Sequence, residues 1–287
     1  METAQELLEH IKLEQIEQNI FRGTSLPIFG KRVYGGQVLA QALTAANATV
    51  PADRFVHSLH SYFILGGDAS RPIVYEVERL RDGGSFTTRR VTAIQHGRAI
   101  FNLSASFQVE QDGFEHQTEM PNVPPPEELL NTREVAEQHI ATYPDRVKWE
   151  KRPHPVEFKL VEQPDWVNPS NREPLRHLWL RVRGELPDDK RLHQTVLAYA
   201  SDFYLLGTSI LPHRGKAEPR DLQLASLDHA MWFHRACRID EWHLYVLDSP
   251  SASNARGFNR GSLFSRDGKL VASMVQEGLI RPKRKKE

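Results

Sequence analysis

Gln194-Thr-Val-Leu-Ala-Tyr-Ala-Ser-Asp-Phe-Tyr-Leu-Leu-Gly-Thr-Ser-Ile-Leu211 is apolar on nearly every side and yet carries one carboxylate, Asp202. At about 100° per residue, Val196, Ala200 and Phe203 share one face of a helix, while Leu197, Tyr199, Leu205 and Leu206 cover most of the remainder. A helix that is hydrophobic all round must be enclosed by protein. An acid inside it needs a partner, such as an arginine or a segment to cap, or else a chemical task. Gln194, Ser201 and Asp202 make the stretch too short and too polar to read as a membrane span. At the start of the chain, Met1-Glu-Thr-Ala-Gln-Glu-Leu-Leu8 lacks the apolar core of a secretory signal.

Outward from this helix, the order of elements occurs twice. In the first half an amphipathic helix over 3–20 is expected to pack outside the domain, and a short strand follows at 19–23. Tyr34-Gly-Gly-Gln-Val-Leu-Ala-Gln-Ala-Leu43 then opens a second helix, and strands are expected at 57–64, 73–80, 85–95 and 98–109. In the second half, strands at 156–161 and 178–183 precede the long apolar helix, and strands at 222–233, 243–248, 256–265 and 269–280 come after it. Val38-Leu-Ala-Gln-Ala42 matches Val196-Leu-Ala-Tyr-Ala200, Ser58-Leu59 matches Ser226-Leu227, and Gly97-Arg98 matches Gly268-Lys269. The shared order of these matches indicates an internal duplication of about 160 to 170 residues. Between the halves, Pro121-Asn-Val-Pro-Pro-Pro126 cannot continue a sheet, and a polar helical stretch is expected over 127–142. The chain is accordingly divided into a unit at 1–120, a linker with a helix at 121–150, and a second unit at 151–287. An enclosed helix followed by long strands suits a helix wrapped by a curved antiparallel sheet. The predicted class is α+β, a double hot dog whose two sheets join side by side and bury an edge.

A chain of 287 residues has the size at which one core divides into two. Its 37 basic and 37 acidic residues balance, so no global field draws in nucleic acid or membrane, and the basic tail at 281–286 reads as a solvated end. The single cysteine, Cys237, excludes an internal disulfide and any cysteine-based metal cluster, in keeping with a reducing, cytoplasmic setting.

Several chemistries lack their motifs. There is no G-x-S-x-G elbow, no G-x-x-x-x-G-K-[ST] phosphate loop and no G-x-G-x-x-G dinucleotide turn. His57 and His60, like His229 and His234, are an odd number of residues apart, which on a strand sends the two rings to opposite faces, so no metal and no cofactor are expected. Polar residues remain at the heart of the second unit: Asp202 on the helix, Ser226 on the strand after it, and Gln276 interrupting the last apolar strand. A carboxylate, a hydroxyl and an amide can together hold one water and draw off its proton, which is hydrolysis without a covalent intermediate. Residue type alone does not select these three over Asp228, His229 or Ser273. Gly35 and Gly36 read as a permissive turn, or as a place where a ligand oxygen reaches free N–H groups at the positive end of a helix.

The chain resembles the acyl-CoA thioesterase II family. The blocks that carry the likeness include Phe21-Arg-Gly23, Tyr34 to Leu43, His57-Ser-Leu-His-Ser-Tyr-Phe63, Arg81-Asp-Gly-Gly-Ser-Phe86, Arg89-Arg-Val91 and Ala105-Ser-Phe-Gln108. In the second half they are Tyr199-Ala-Ser-Asp-Phe203, Leu227-Asp-His-Ala-Met-Trp-Phe-His-Arg235, Ser251-Ala-Ser-Asn-Ala-Arg-Gly257 and Val275-Gln-Glu-Gly278. The resemblance implies hydrolysis of fatty acyl-CoA to fatty acid and coenzyme A, with Asp202 and Gln276 as catalytic residues. It places Ser226 where the family usually has threonine, and it implies a homo-oligomer, dimer or tetramer. With Thr44 at the position that helix alignment pairs with Asp202, the first unit is expected to bind or shape substrate; Gly35, Gly36 and His57 are its candidate substrate contacts. Two other classes stay in view: an enoyl-CoA hydratase or acyl dehydratase on the same scaffold, whose usual Asp-x-Asn-x-x-His pattern is missing here, and a non-catalytic acyl-CoA binding module.

Overall fold

The computed structural model describes residues 1–28, 30–167, 169–216 and 218–283. Residues 284–286 of the basic tail lie outside the described residues. In chain order the elements are α1 (Ala4–Ile11), β1 (Glu14–Glu17), β2 (Ile20–Gly23), α2 (Gly35–Asn47), β3 (Arg54–Phe63), β4 (Ile73–Asp82), β5 (Phe86–Gln95) and β6 (Arg98–Val109). Two short helices, α3 (Thr132–Gln138) and α4 (Pro144–Glu150), stand before β7 (Val156–Leu160), β8 (Leu175–Val182), α5 (Lys190–Ser201) and α6 (Leu205–Thr208). The chain ends with β9 (Leu222–Ser226), β10 (Asp228–Phe233), β11 (His243–Ser253), β12 (Arg256–Ser265) and β13 (Leu270–Pro282).

Among the described residues all the strands form one antiparallel sheet, in the order β1-β2-β4-β5-β6-β3-β10-β13-β12-β11-β8-β7, with β9 beside β13. The halves meet where β3 pairs with β10, Leu59 opposite Met231, so the edge that either half would expose alone is paired. Alternation sends Thr87, Arg89, Val91, Ala93 and Gln95 of β5 to the buried face and the residues between them outward. On that inner face lie α2 and α5, antiparallel and in contact: Gly36 at the start of α2 meets the end of α5, while Arg191 Nη1 near the start of α5 donates to Asn47 O at the end of α2 at 3.4 Å. This is the double hot dog arrangement.

The duplication is visible in the ladders. A one-residue slip falls between Ala93 and Ile94 in the β5–β6 pair and between Leu263 and Phe264 in β12–β13. A second falls in β4–β5 after Arg79 and in β11–β12 after Asp248. A third separates Val56 from Ser58 on β3, and its counterpart separates β9 from β10. These slips pair Ser226 with Val56, not with Ser58 as the bare sequence match has it, and Gln276 with Ala105. A two-residue identity, Ser-Leu, was enough to misalign a strand that contains an extra residue.

Two further expectations change. The N-terminal helix stops at Ile11, with a capping box between Thr3 and Glu6 at its start, and residues 14–17 form an exposed edge strand. The long apolar helix is not continuous: α5 is capped by Asp189 at its start and ends with Asp202 as its C-cap, and Tyr204, in the left-handed region at φ 64°, redirects the chain into α6. The linker does more than connect. Met120, Val123 and Leu129 pack on Trp179, Leu244 and Phe264, and the Trp179 indole donates to Pro124 O at 2.9 Å. No helix among the described residues is long and apolar enough to cross a membrane.

Candidate active site

The end of α5 puts Asp202 where a helix presents its unpaired carbonyls, a poor place for an anion by itself. Antiparallel packing supplies the opposite pole, because the first turn of α2 arrives there with free N–H groups. Gly36 N–H donates to Asp202 Oδ2 at 3.0 Å. The approach depends on glycine: a Cβ on Gly36 would lie 2.3 Å from Tyr199 O, and one on Gly35 would lie 2.6 Å from Asp202 Oδ2. The two helices are further tied by Tyr34, whose hydroxyl donates to Tyr199 O at 3.0 Å and whose ring meets those of Tyr199 and Phe203.

The other carboxylate oxygen is held from the sheet. Gln276, fully buried on β13, donates from Nε2 to Asp202 Oδ1 at 2.7 Å. Burial pushes the Asp202 carboxyl above its ordinary value, and the hydrogen bonds from Gln276 and Gly36 pull it part of the way back. A carboxylate raised by burial is a stronger base than an exposed one, which suits it to accept a proton.

Asp202 and Ser226 line one cavity of about 310 Å³. Its other walls are Gly35, Val38, Phe63 and Phe101 from the first half and Leu224 and Leu227 from the second, with Arg32 among its lining residues. The cavity therefore has apolar walls interrupted by a carboxylate, a hydroxyl and Arg32, and it draws on both halves of the chain. Ile64 and Leu65, 48% and 40% exposed, continue the apolar surface at its rim.

The structure thus brings Asp202, Gln276, Gly35 and Gly36 into contact or near contact, with Ser226 on the same cavity. It does not bring His57 there. His57 sits at the slip in β3, six residues before Phe63, with Nε2 at 2.8 Å from Ser106 Oγ and its ring edge-on to Phe86. Gly36 also plays a different part from the one expected of it, since its N–H meets the protein's own carboxylate, from the other half of the chain.

The alternatives left open by residue type now separate. Asp228 Oδ1 accepts from Glu277 N–H at 2.7 Å and so secures the slip between β9 and β10. Ser273 pairs with His234, an exposed residue. His229 alone reaches the site, with Nδ1 3.2 Å from Gln276 Nε2 and Nε2 3.0 Å from Ser201 Oγ. Complete burial lowers its pKa to about 3. No spacing in the sequence separates His229 from the twelve other histidines; its single signal is alternation, which turns it inward with Met231 and Phe233. In the first half, the counterparts of Asp202, Ser226 and Gln276 are Thr44, Val56 and Ala105. Thr44 merely bonds back to Ala40 O.

Residues 151–279 match the family described as acyl-CoA thioesterase, and residues 25–108 match the family described as acyl-CoA thioesterase N-terminal domain. The chain is 40% identical over 278 residues to acyl-CoA thioesterase 2 of Haemophilus influenzae, covering 96% of both chains. Among solved structures it is similar to an acyl-CoA thioesterase II, TesB2, from Mycobacterium marinum, with 43% identity, coverage of 96% of this chain and 98% of that one, and a TM-score of 0.79. A hot dog protein from Alicyclobacillus acidocaldarius, 17% identical with a TM-score of 0.78 over 96% of this chain and 98% of that one, shares the fold.

Proposed function

The chain belongs to the acyl-CoA thioesterase family, and from that premise we propose that Asp202 activates a water which attacks the carbonyl carbon of an acyl-CoA thioester. The enzyme class follows from the family: acyl-CoA thioester is hydrolysed to a carboxylic acid and coenzyme A. In the proposed step Asp202 accepts the proton of the water as its oxygen bonds to carbon. Ser226, on the same cavity, holds the water's lone pair or its second hydrogen. Gln276 fixes the Asp202 carboxylate from one side and Gly36 from the other. The negative charge then develops on the carbonyl oxygen, where a donor is required. The N–H of Gly35, at the positive end of α2 and on the cavity wall, is the donor we assign. Collapse of the tetrahedral species breaks the carbon–sulfur bond and releases a thiolate, a leaving group of the same kind as a cysteine thiolate, whose conjugate acid has a pKa of about 8.5, so expulsion needs little help. Asp202 returns its proton to the products.

Ser226 is assigned to the water and not to attack on carbon, because His229, the histidine beside Gln276, is already engaged with Gln276 and Ser201. No acyl-enzyme is formed in this scheme. The single observation that carries the reading is the Asp202 carboxylate, gripped at both oxygens by Gln276 and Gly36 and facing a cavity shared with Ser226. In the test, Asp202→Asn is expected to lose about 10²- to 10⁴-fold in kcat with acyl-CoA binding retained. Full activity in that variant sinks the scheme. Transfer of the acyl group to added hydroxylamine at the expense of hydrolysis, with thiol release unchanged, would reveal a covalent intermediate and overturn the direct attack. We place the two units at 1–120 and 151–287, and propose a cytoplasmic homo-oligomer, dimer or tetramer, which sedimentation equilibrium decides.

A further inference from the structure

Gln276 has to be read together with the group behind it. If its amide were turned about, Oε1 would face Asp202 Oδ1 at 2.7 Å, two acceptors in contact with no hydrogen between them. Nε2 therefore faces the aspartate, and its second hydrogen points to His229 Nδ1 at 3.2 Å. A nitrogen that receives this hydrogen cannot carry one, so the imidazole proton sits on Nε2. There it meets Ser201 Oγ at 3.0 Å, whose own hydrogen has Ala198 O at 2.9 Å and Met231 Sδ at 3.2 Å as acceptors. Every donor in the line is spoken for, and the line begins on α5 one residue before the catalytic acid. One atom is left over: Gln276 Oε1 is buried and has no donor among the described residues.

We infer that His229 is a positioning residue which, as the Nε2–H tautomer anchored by Ser201, locks the Gln276 amide with Nε2 on Asp202. The inference rests on the proposed roles of Asp202 and Gln276. His229 touches neither substrate nor the reacting atoms; it acts by removing the second orientation of a symmetric-looking amide. The backbone supports the role, since His229 O accepts from Ser61 Oγ of the first half at 2.8 Å, and Tyr245 donates to Ser201 O at 2.8 Å. A first-half counterpart of this device is not needed, because Ala105 stands where Gln276 would be.

The wild-type protein tests the tautomer directly. Nitrogen-15 NMR of the histidine rings, with the His229 signals assigned by their disappearance in His229→Asn, is expected to show an imine-type Nδ1 and a pyrrole-type Nε2; the reverse pattern overturns the inference. Kinetics test the coupling. His229→Leu is expected to lower kcat by roughly tenfold to a hundredfold with KM within about twofold, the range seen when a group that orients a reactive partner is removed. His229→Asn, whose amide oxygen can take the place of Nδ1, is expected to return to within about fivefold of wild type. In a Gln276→Leu background, His229→Leu is expected to cost less than about twofold more, because there is no longer an amide to hold. A full multiplicative loss in the double variant, or an Asn variant as slow as Leu, overturns the inference. Should His229→Leu fail to fold, the tautomer and the Asn variant decide. Wild-type turnover in Gln276→Leu would instead sink the proposed function, leaving the tautomer to stand or fall by its spectrum.

Discussion

Gly36→Ala is the most informative single change, because it alters a residue with no side chain in one half of the chain and is read out on the base in the other. The new Cβ would lie 2.3 Å from Tyr199 O and 2.6 and 2.8 Å from two ring carbons of Tyr34. Tyr199 O is backbone, and the Tyr34 ring is tethered by its own hydroxyl to the same oxygen, so neither can step aside. Relief requires the first turn of α2 to withdraw by about 1 Å from the end of α5, which lengthens the 3.0 Å contact between Gly36 N and Asp202 Oδ2 beyond hydrogen-bonding range. A hydrogen bond to a charged group contributes about 1.5–3 kcal/mol, and 1.36 kcal/mol is one pKa unit, so the Asp202 pKa should rise by about one to two units. The sign follows from the chemistry: Asp202 works as the anion, so activity falls as pH drops through its pKa, and a higher pKa moves the acid limb to higher pH. Overpacking should also lower stability by about 1–3 kcal/mol. The assay is kcat/KM for an acyl-CoA against pH, followed by thiol release with a disulfide reagent that reports across the acid range. Gly84→Ala, where a Cβ meets nothing within 4 Å, is the control. A folded Gly36→Ala enzyme whose acid limb stays within about 0.3 unit of wild type, or moves down, would refute the claim that α2 sets the charge of Asp202.

Ser226→Thr keeps the hydroxyl and adds a methyl that narrows its rotamers; turnover is expected to change by no more than about threefold, and a much larger gain would show that the hydroxyl of Ser226 is poorly placed as it stands. The wild-type kcat/KM profile should show one acid limb, that of Asp202, with no inflection from His229, whose burial holds it neutral above about pH 4; an inflection near pH 6 to 7 that vanishes in His229→Asn would contradict this. Trp179→Ala should destabilise the protein by about 3–5 kcal/mol and speed proteolytic cleavage within 115–131, since the linker loses its main apolar seat and the indole hydrogen bond that Pro124 O accepts. Turnover per folded molecule should be unchanged, and a loss of turnover without faster cleavage would mean that the linker acts on the site.

Most of the fold could be read from patterns of one dimension. Alternation located the strands at 98–109 and 256–265 to the residue, because strands buried on one face write their period into the chain. The helix at 194–211 was harder: its apolar residues are buried or half-buried on every side, which leaves no phase, so nothing marked the break at Asp202 and the left-handed turn at Tyr204. The mismatch of Ser58 with Ser226 has a similar cause, since one extra residue in a strand leaves composition intact and shifts every pairing after it.

The site divides in the same way. Sequence by itself determined the duplicated α+β architecture, the family, and Asp202, Ser226 and Gln276 as candidates, because each is a polar residue set in an apolar run or in a block that resembles the family. Only the tertiary structure decided what holds them. Gly36 and Asp202 are 166 residues apart and Gln276 is another 74 beyond, and no periodicity spans such distances. Antiparallel packing of two helices carries the positive end of one to a carboxylate at the negative end of the other, and the sheet turns Gln276 and His229 to meet it. The charge, the direction of the amide and the position of a single proton on His229 are properties of that meeting, and they exist only once the two halves have closed on each other.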